Sequence, residues 1–310
     1  MRFVLFVHSL VSDWNHGNAH FLRGVVRDLQ RRGHEVRVYE PAGGWSRGNL
    51  VADAGPEAEQ AFAASFPDLT SRSYPADGPF EPVLDEALEG ADVVLVHEWN
   101  DKRLVSAIGR RRAAGGRFTL LFHDTHHRTV SEPDAIRAFD LDAYDGVLAF
   151  GDTVRAIYAT HGWGSRAHTW HEAADTSVFR PRPGTERRGD LVWIGNWGDD
   201  ERSEELRRFL LDPVARLGLA ATIHGVRYPE PALEAVRRAG IRYGGYLPNH
   251  RAPEVFAAHA VTVHVPRRFY TTHLPGIPTI RVFEALACGI PLVSAPWRDS
   301  EGCSASAPTS

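Results

Sequence analysis

The chain has 310 residues, 43% of them hydrophobic, enough to bury sizeable cores and to favour two domains over one. A formal net charge of −4 and a pI near 6.5 argue against a general nucleic-acid binder. Two cysteines, Cys288 and Cys303, make no disulfide framework and point to a reduced, cytoplasmic setting, and no stretch approaches the ~20 apolar residues of a membrane span. Lys102 is the only lysine, so any grip on phosphate falls to arginine.

From the N-terminus, the continuous apolar run over residues 3–7 predicts a strand covered on both faces; it is too short for a secretory signal. A loop from His8 to His20 leads into a helix with Phe21, Leu22, Val25, Val26 and Leu29 on one side. Arg23, Arg27 and Arg31 lie on the other, and Gly33 ends it before a strand at residues 36–39. Strand, helix, strand is a βαβ unit, so the sheet is expected to be parallel. Further strands are predicted at 93–97, 118–122, 147–150 and 167–170, with helices near 57–66, 82–88, 102–112 and 153–160. Residues 43–55 read as a Gly-rich loop. Together these make one Rossmann-like α/β domain, residues 1–178.

Residues 179–189 concentrate Pro, Gly and charge and read as a linker. A second alternation fills residues 190–300, with strands at 191–194, 221–224, 261–265 and 292–294 and helices near 203–217, 231–239, 253–259 and 279–288. Its last helix lies in GIPTIRVFEALACGIPLVSAPW, opened by Pro278 and Thr279 and stopped by Gly289, with almost no polar face. The two charges on it, Arg281 and Glu284, need partners if the helix is buried. They can pair with each other, three residues apart. Alternatively, the free amides of Thr279, Ile280 and Arg281 hold an anion such as a diphosphate while Glu284 accepts hydrogen bonds from sugar hydroxyls. Residues 301–310, ending in CSASAPTS, read as a disordered tail.

Other candidates sit in loops after strands. Asn15, His16, Gly17 and Asn18 precede the first helix, where a glycine lets backbone approach a ligand or Asn18 simply caps a turn. No G-x-G-x-x-G follows that strand, which counts against a dinucleotide enzyme. His123, Asp124, His126 and His127 offer donors and a general base to a sugar, or a solvated loop; their spacing matches no recognised metal site. In GNWGDDER, which follows the first strand of the second alternation, Arg202 can offer a charge-assisted hydrogen bond with Asn196 and Gly198 near it, although Asp199, Asp200 and Glu201 oppose that charge. Tyr246 and Leu247 lie in GGYLP before another helix, and Arg267 and Arg268 end a strand, a pair that can equally be a surface feature. Asp140 and Asp142 spell D-x-D, a three-residue match expected often by chance.

The 276–297 stretch resembles the nucleotide-binding segment of GT-B glycosyltransferases, with an E-A-x-A-C-G-x-P helix met here by Glu284, Ala285, Ala287, Cys288, Gly289 and Pro291. It is especially similar to the CgeB-like (spore-maturation type) bacterial branch, P-T-x-R-x-F-E-A-L-A-C-G. The resemblance implies two Rossmann-like domains facing each other, the second incomplete at its C-terminal end because related chains continue past W-R-D-x-E-G. It implies a glycosyltransferase moving a sugar from a nucleotide-diphosphate sugar to an unknown acceptor, with no cofactor and no metal. Donor-binding residues would be Glu284, Thr279, Ile280, Arg281, Arg202, Asn196, Gly198, Tyr246 and Arg267. His123 and His16 would be catalytic, and Gly17 and Asn18 would form the acceptor-side loop. Many retaining relatives carry a second glutamate eight positions before the first; here that position is Gly276. Other functions open to such a chain are a non-catalytic nucleotide-sugar or glycan binder and a sugar-nucleotide epimerase. Expected partners are the nucleotide sugar and a glycan, lipid, protein or small-molecule acceptor, with no nucleic acid and at most peripheral membrane contact.

Overall fold

The computed structural model describes residues 1–198 and 200–302, without the side chains of Asp200 and Glu201. Of the acids expected to oppose Arg202, Asp199 and the side chains of Asp200 and Glu201 therefore lie outside what is described, as does the tail from Cys303 onward. The chain forms two compact units, Met1–Asp13 with Leu22–His171, and Trp14–Phe21 with everything from Glu172 onward.

The first unit holds strands β1 (Arg2–Phe6), β2 (Glu35–Pro41), β3 (Arg72–Tyr74), β4 (Val93–His97), β5 (Thr119–Asp124), β6 (Gly146–Ala149) and β7 (Ala167–Thr169). Between them run helices α1 (Ala19–Arg31, of which residues 19–21 belong to the second unit), α2 (Trp45–Ala54), α3 (Glu57–Ser65), α4 (Glu81–Leu88), α5 (Lys102–Ala113), α6 (Arg128–Ser131), α7 (Pro133–Arg137) and α8 (Asp152–Tyr158). Every pairing is parallel, in the order β3-β2-β1-β4-β5-β6-β7. Val4, Phe6, Val94, Val96, Leu120, Phe122 and Val147 are wholly buried, as apolar strands covered on both faces must be.

The second unit holds β8 (Gly189–Ile194), β9 (Ala221–His224), β10 (Arg242–Tyr243), β11 (His259–His264) and β12 (Leu292–Ser294). Its helices are α9 (Asp200–Leu206), α10 (Asp212–Leu217), α11 (Glu230–Arg238), α12 (Ala252–Ala257), α13 (Arg268–Thr272) and α14 (Ile280–Cys288). The sheet is again parallel, ordered β10-β9-β8-β11-β12. Alternation along β8 serves both of its faces: Leu191 and Trp193 pack with Leu206, Leu210, Val214 and Val236, whereas Val192 and Ile194 pack with Phe179, Phe256 and Ala285. Phe179, the first residue of the expected linker, is thus a core residue.

Several expectations are corrected. Residues 45–54, read as a loop, form α2, bounded by Gly44 and by Gly55 at φ +77°. The short strands β3 and β10 were not anticipated. Arg23, placed on the solvent side of α1, is 2% exposed. Leu286, expected to be buried, is 53% exposed. Among the described residues, no helix is long and apolar enough to cross a membrane.

Candidate functional site

In doubly wound parallel sheets, ligands gather at the carboxyl ends of the strands where the strand order reverses. In the second unit that point lies between β8 and β11. The chain leaves β8 through Gly195, Asn196, Trp197 and Gly198, the last at φ +80°. The loop after β9 comes so close that a Cβ on Gly225 would stand 2.0 Å from the Gly195 carbonyl oxygen, a gap only glycine tolerates. Asn196 accepts from the Val226 amide at 2.9 Å and donates to Asn15 Oδ1. Arg202 is buried and reaches back to the carbonyls of Asn196, of Trp197 at 3.4 Å and of Val265 at 3.5 Å. Its guanidinium lies 5.3 Å from the Trp193 ring centroid. Arg202 therefore ties the loop after β8 to the end of β11. Arg267, half-buried, stands at the start of α13, and Tyr246 is half-buried in the loop after β10.

The second part of this site is the opening of α14. Thr279 is its N-cap residue with extended backbone and no side-chain cap, and Gly289 closes the other end in the left-handed region. Because α14 leads from the carboxyl end of β11 towards β12, its free amides open on the same side as the loops above. Glu284 is fully buried. Its Oε2 accepts from Arg281 Nη1, so the pairing of the two helix charges is realised, and its Oε1 lies 2.8 Å from His20 Nδ1. Arg281 also donates to Asn249 Oδ1 at 3.2 Å. Burial works to raise the Glu284 pKa, but the Arg281 and His20 charges and hydrogen bonds outweigh it and hold the group below its ordinary value.

The segment Trp14–Phe21 lies against this opening as part of the same compact unit. A Cβ on Gly17 would meet Ile280 Cγ2 at 3.2 Å, so glycine sets how closely the segment approaches. Asn18 donates from Nδ2 to Glu172 Oε1 at 3.0 Å. His16 is buried in the same segment. Burial first, then the neighbouring Glu284 charge, pushes Glu172 up to about 8. Glu172, His20 and Asn249 escaped the sequence reading. No motif marks them, and they reach α14 only through the fold.

In the first unit, His123 and Asp124 belong to β5 itself rather than to the loop after it. His123 has no exposed surface; it packs 4.9 Å from the Trp170 ring and 5.3 Å from His97, and burial pushes its imidazole down to about 3. In this conformation it cannot touch a sugar. Burial also raises both Asp124, which accepts from the Tyr158 hydroxyl at 2.8 Å, and Glu98, whose Oε2 accepts from Arg128 Nε at 3.0 Å. His126 lies beside Trp99, and His127 contacts Ser131 at 2.9 Å. Among the described residues, no group of three or more His, Cys, Asp or Glu side chains is placed to hold a metal ion.

Comparison with known proteins finds a family model, described as Glycosyl transferase-like, that matches residues 202–304, a third of the chain. No curated protein matches. Among solved structures, an alpha-glucosyltransferase in complex with UDP and a 13-mer DNA superposes with a TM-score of 0.64 at 11% identity, covering 95% of this chain and 79% of that one. Sucrose-phosphate synthase from Thermosynechococcus elongatus gives 0.62 at 13% identity, covering 96% and 82%. A glycosyltransferase from Rickettsia africae gives 0.61 at 10%, covering 96% and 80%. These likenesses carry the fold: the chain is an α/β protein with two parallel sheets, built as GT-B glycosyltransferases are.

Proposed function

We propose that the chain is a glycosyltransferase of the CgeB-like kind, working without a metal on a nucleotide-diphosphate sugar and an unidentified acceptor in a cytoplasmic setting. The observation that carries this reading is the junction of the α14 opening with Glu284, held by Arg281 and His20, inside the stretch that the glycosyl transferase-like family model matches. The α14 amides would take the diphosphate and Glu284 the ribose hydroxyls. Arg202 would act through the loop it fastens, presenting Asn196 and Gly198, with Arg267 and Tyr246 on the rim. His16, Gly17 and Asn18 would stand on the acceptor side. His123, wholly buried, would support the carboxyl end of β5 rather than meet the donor. With Glu284 Oε2 bonded to Arg281, Oε1 2.8 Å from His20 Nδ1 and no exposed surface, donor entry requires the Trp14–Phe21 segment to shift.

The test is calorimetric titration with UDP, ADP and GDP, followed by assay of nucleoside diphosphate release from their sugars. At least one should bind saturably, and Glu284→Gln should weaken it by about tenfold or more, the loss of one or two hydrogen bonds to a charged group. Saturable binding unchanged in that variant would remove Glu284 from the donor site. Absence of binding to all three would sink the reading.

One observation favours a second reading, a non-catalytic nucleotide-sugar binder. Gly276, where many retaining relatives carry glutamate, has φ +93°, and a Cβ there would lie 2.3 Å from Ser300 Oγ and 3.0 Å from the Glu301 amide nitrogen. The site has no room for the second carboxylate. Donor binding without hydrolysis or transfer would decide for this reading.

A further inference from the structure

Resting on the donor site proposed above, we infer that His264 and Trp297 form a hydroxyl-recognising subsite that selects the transferred sugar. His264 ends β11, and Ser294 stands beside it on β12. Val261, Val263 and Val265 pack on the sheet face of Leu191 and Trp193. Alternation therefore turns His264 to the other face, where Val192 and Ile194 pack with Ala285 of α14. His264 is 4% exposed. Trp297 follows β12 in a segment pinned at both ends. The Ala295 amide donates to the His264 carbonyl at 2.8 Å, and Ser300 Oγ donates at 3.0 Å to the carbonyl of Pro275, in the loop that leads into α14. The His264 and Trp297 rings meet nearly at right angles, with centroids 6.0 Å apart. Both side chains thus belong to the carboxyl end of the second unit's sheet, the end at which α14 opens.

The hydrogen bonds fix what each ring offers. Ser294 Oγ donates its one proton to the Ala295 carbonyl at 2.8 Å and lies 3.1 Å from His264 Nδ1. Nδ1 must therefore carry a hydrogen and donate to Ser294. Burial first, then the Arg202 charge, pushes the imidazole down to about 4, so the ring is neutral and Nε2 keeps a lone pair. That Nε2 is buried without a hydrogen-bond partner among the described residues, and so is the Trp297 Nε1 donor. One buried acceptor and one buried donor, unpaired on neighbouring rings, are costly until a ligand completes them. A hydroxyl does both tasks with one atom, giving its proton to Nε2 and accepting from Nε1. A diphosphate has no proton for Nε2 at neutral pH, and an ammonium has no lone pair for Nε1. With the ribose assigned to Glu284, the remaining hydroxyls of the donor are those of the transferred sugar. A site built to bond a hydroxyl rejects the analogue that lacks it.

The experiment is calorimetric titration of whichever of UDP, ADP and GDP binds, and of its glucose conjugate, into wild type, Trp297→Phe and His264→Asn. Trp297→Phe keeps an aromatic ring and loses the N–H. His264→Asn keeps a donor for Ser294 and puts nothing at the Nε2 position. Each should weaken the conjugate about fivefold, the loss of one neutral hydrogen bond, and leave the bare diphosphate within about twofold of wild type. Melting temperature confirms that each variant is folded, and Trp297→Phe, which removes an unpaired donor, should not lower it. Equal change for conjugate and diphosphate, or no change in either, overturns the inference and leaves the donor site intact. So does a Trp297→Phe protein that melts lower yet keeps its affinity for the conjugate, the mark of an internal water in place of a ligand. Absence of binding by all three diphosphates and their conjugates overturns both.

Discussion

Arg23 shows how one side chain fixes the loop that follows the first strand. Its guanidinium donates to the carbonyls of Leu10 and Val11, each at 2.8 Å, and to Asp13 Oδ2 at 2.9 Å. Its faces lie 4.8 Å and 5.2 Å from the Phe62 and Phe66 ring centroids. A planar fork of five donors serves three acceptors at once and still stacks on aromatic rings; a lysine offers one compact charge. Arg23→Lys keeps the charge and should nonetheless cost about 2–4 kcal/mol, because it strips buried acceptors of their donors. The urea midpoint should fall with the slope unchanged. A loss under about 0.5 kcal/mol would show that the loop does not depend on the fork.

At the scale of the element, α14 was the most legible and its surroundings the least. Its start after Pro278 and stop at Gly289 follow from local chemistry alone, and the structure ends the helix at Cys288 with Gly289 at φ 72°. A Cβ at Gly289 would meet only Pro181 Cγ, at 3.6 Å, so the position needs glycine for its backbone and not for space. Gly289→Ala should therefore cost about 1 kcal/mol and Gly289→Asn less, since asparagine tolerates the left-handed region. Equal losses in the two, read from denaturant midpoints, would refute the capping argument. Helix α2 escaped because Gly44, Gly48 and Gly55 read as loop punctuation, although two of them bound the helix and only Gly48 lies inside it. Strands β3 and β10, of three and two residues, are edge strands whose pairing comes from their neighbours and not from a pattern of their own. The candidate site divides the same way. Glu284 and Arg281 could be read as a possible pair from their spacing, whereas Glu172 and His20 are remote in sequence and announced by nothing local.

For the whole molecule, buried titratable groups of opposite tendency set how stability responds to pH. Glu172, at about 8, and Glu98, also raised by burial, keep their protons in the folded state at pH values where the unfolded chain has lost them. Their folded pKa values exceed the ordinary value of 4.5, so the folded state binds more protons between that value and the folded one. Stability from this source falls as pH rises through the window, by up to about 1.4 kcal/mol per pH unit for each group. His8, at about 4, His123, at about 3, and His264, at about 4, are held neutral chiefly by burial. Here the unfolded chain binds more protons, so stability falls as pH drops below the ordinary value of 6.5. Lowering the pH from 8.5 to 6.5 should therefore raise the melting temperature, since over that range the two glutamates act almost unopposed. Below 6.5 the three histidines should come to outweigh the two glutamates, so the curve turns over and falls. Glu172→Gln removes one of the two acids and should roughly halve the slope between pH 8.5 and 6.5, whereas His264→Gln should leave that slope alone and raise the curve only on its acid side. A melting temperature that rises with pH across 6.5 to 8.5 would mean that these carboxyls are ionised in the folded protein.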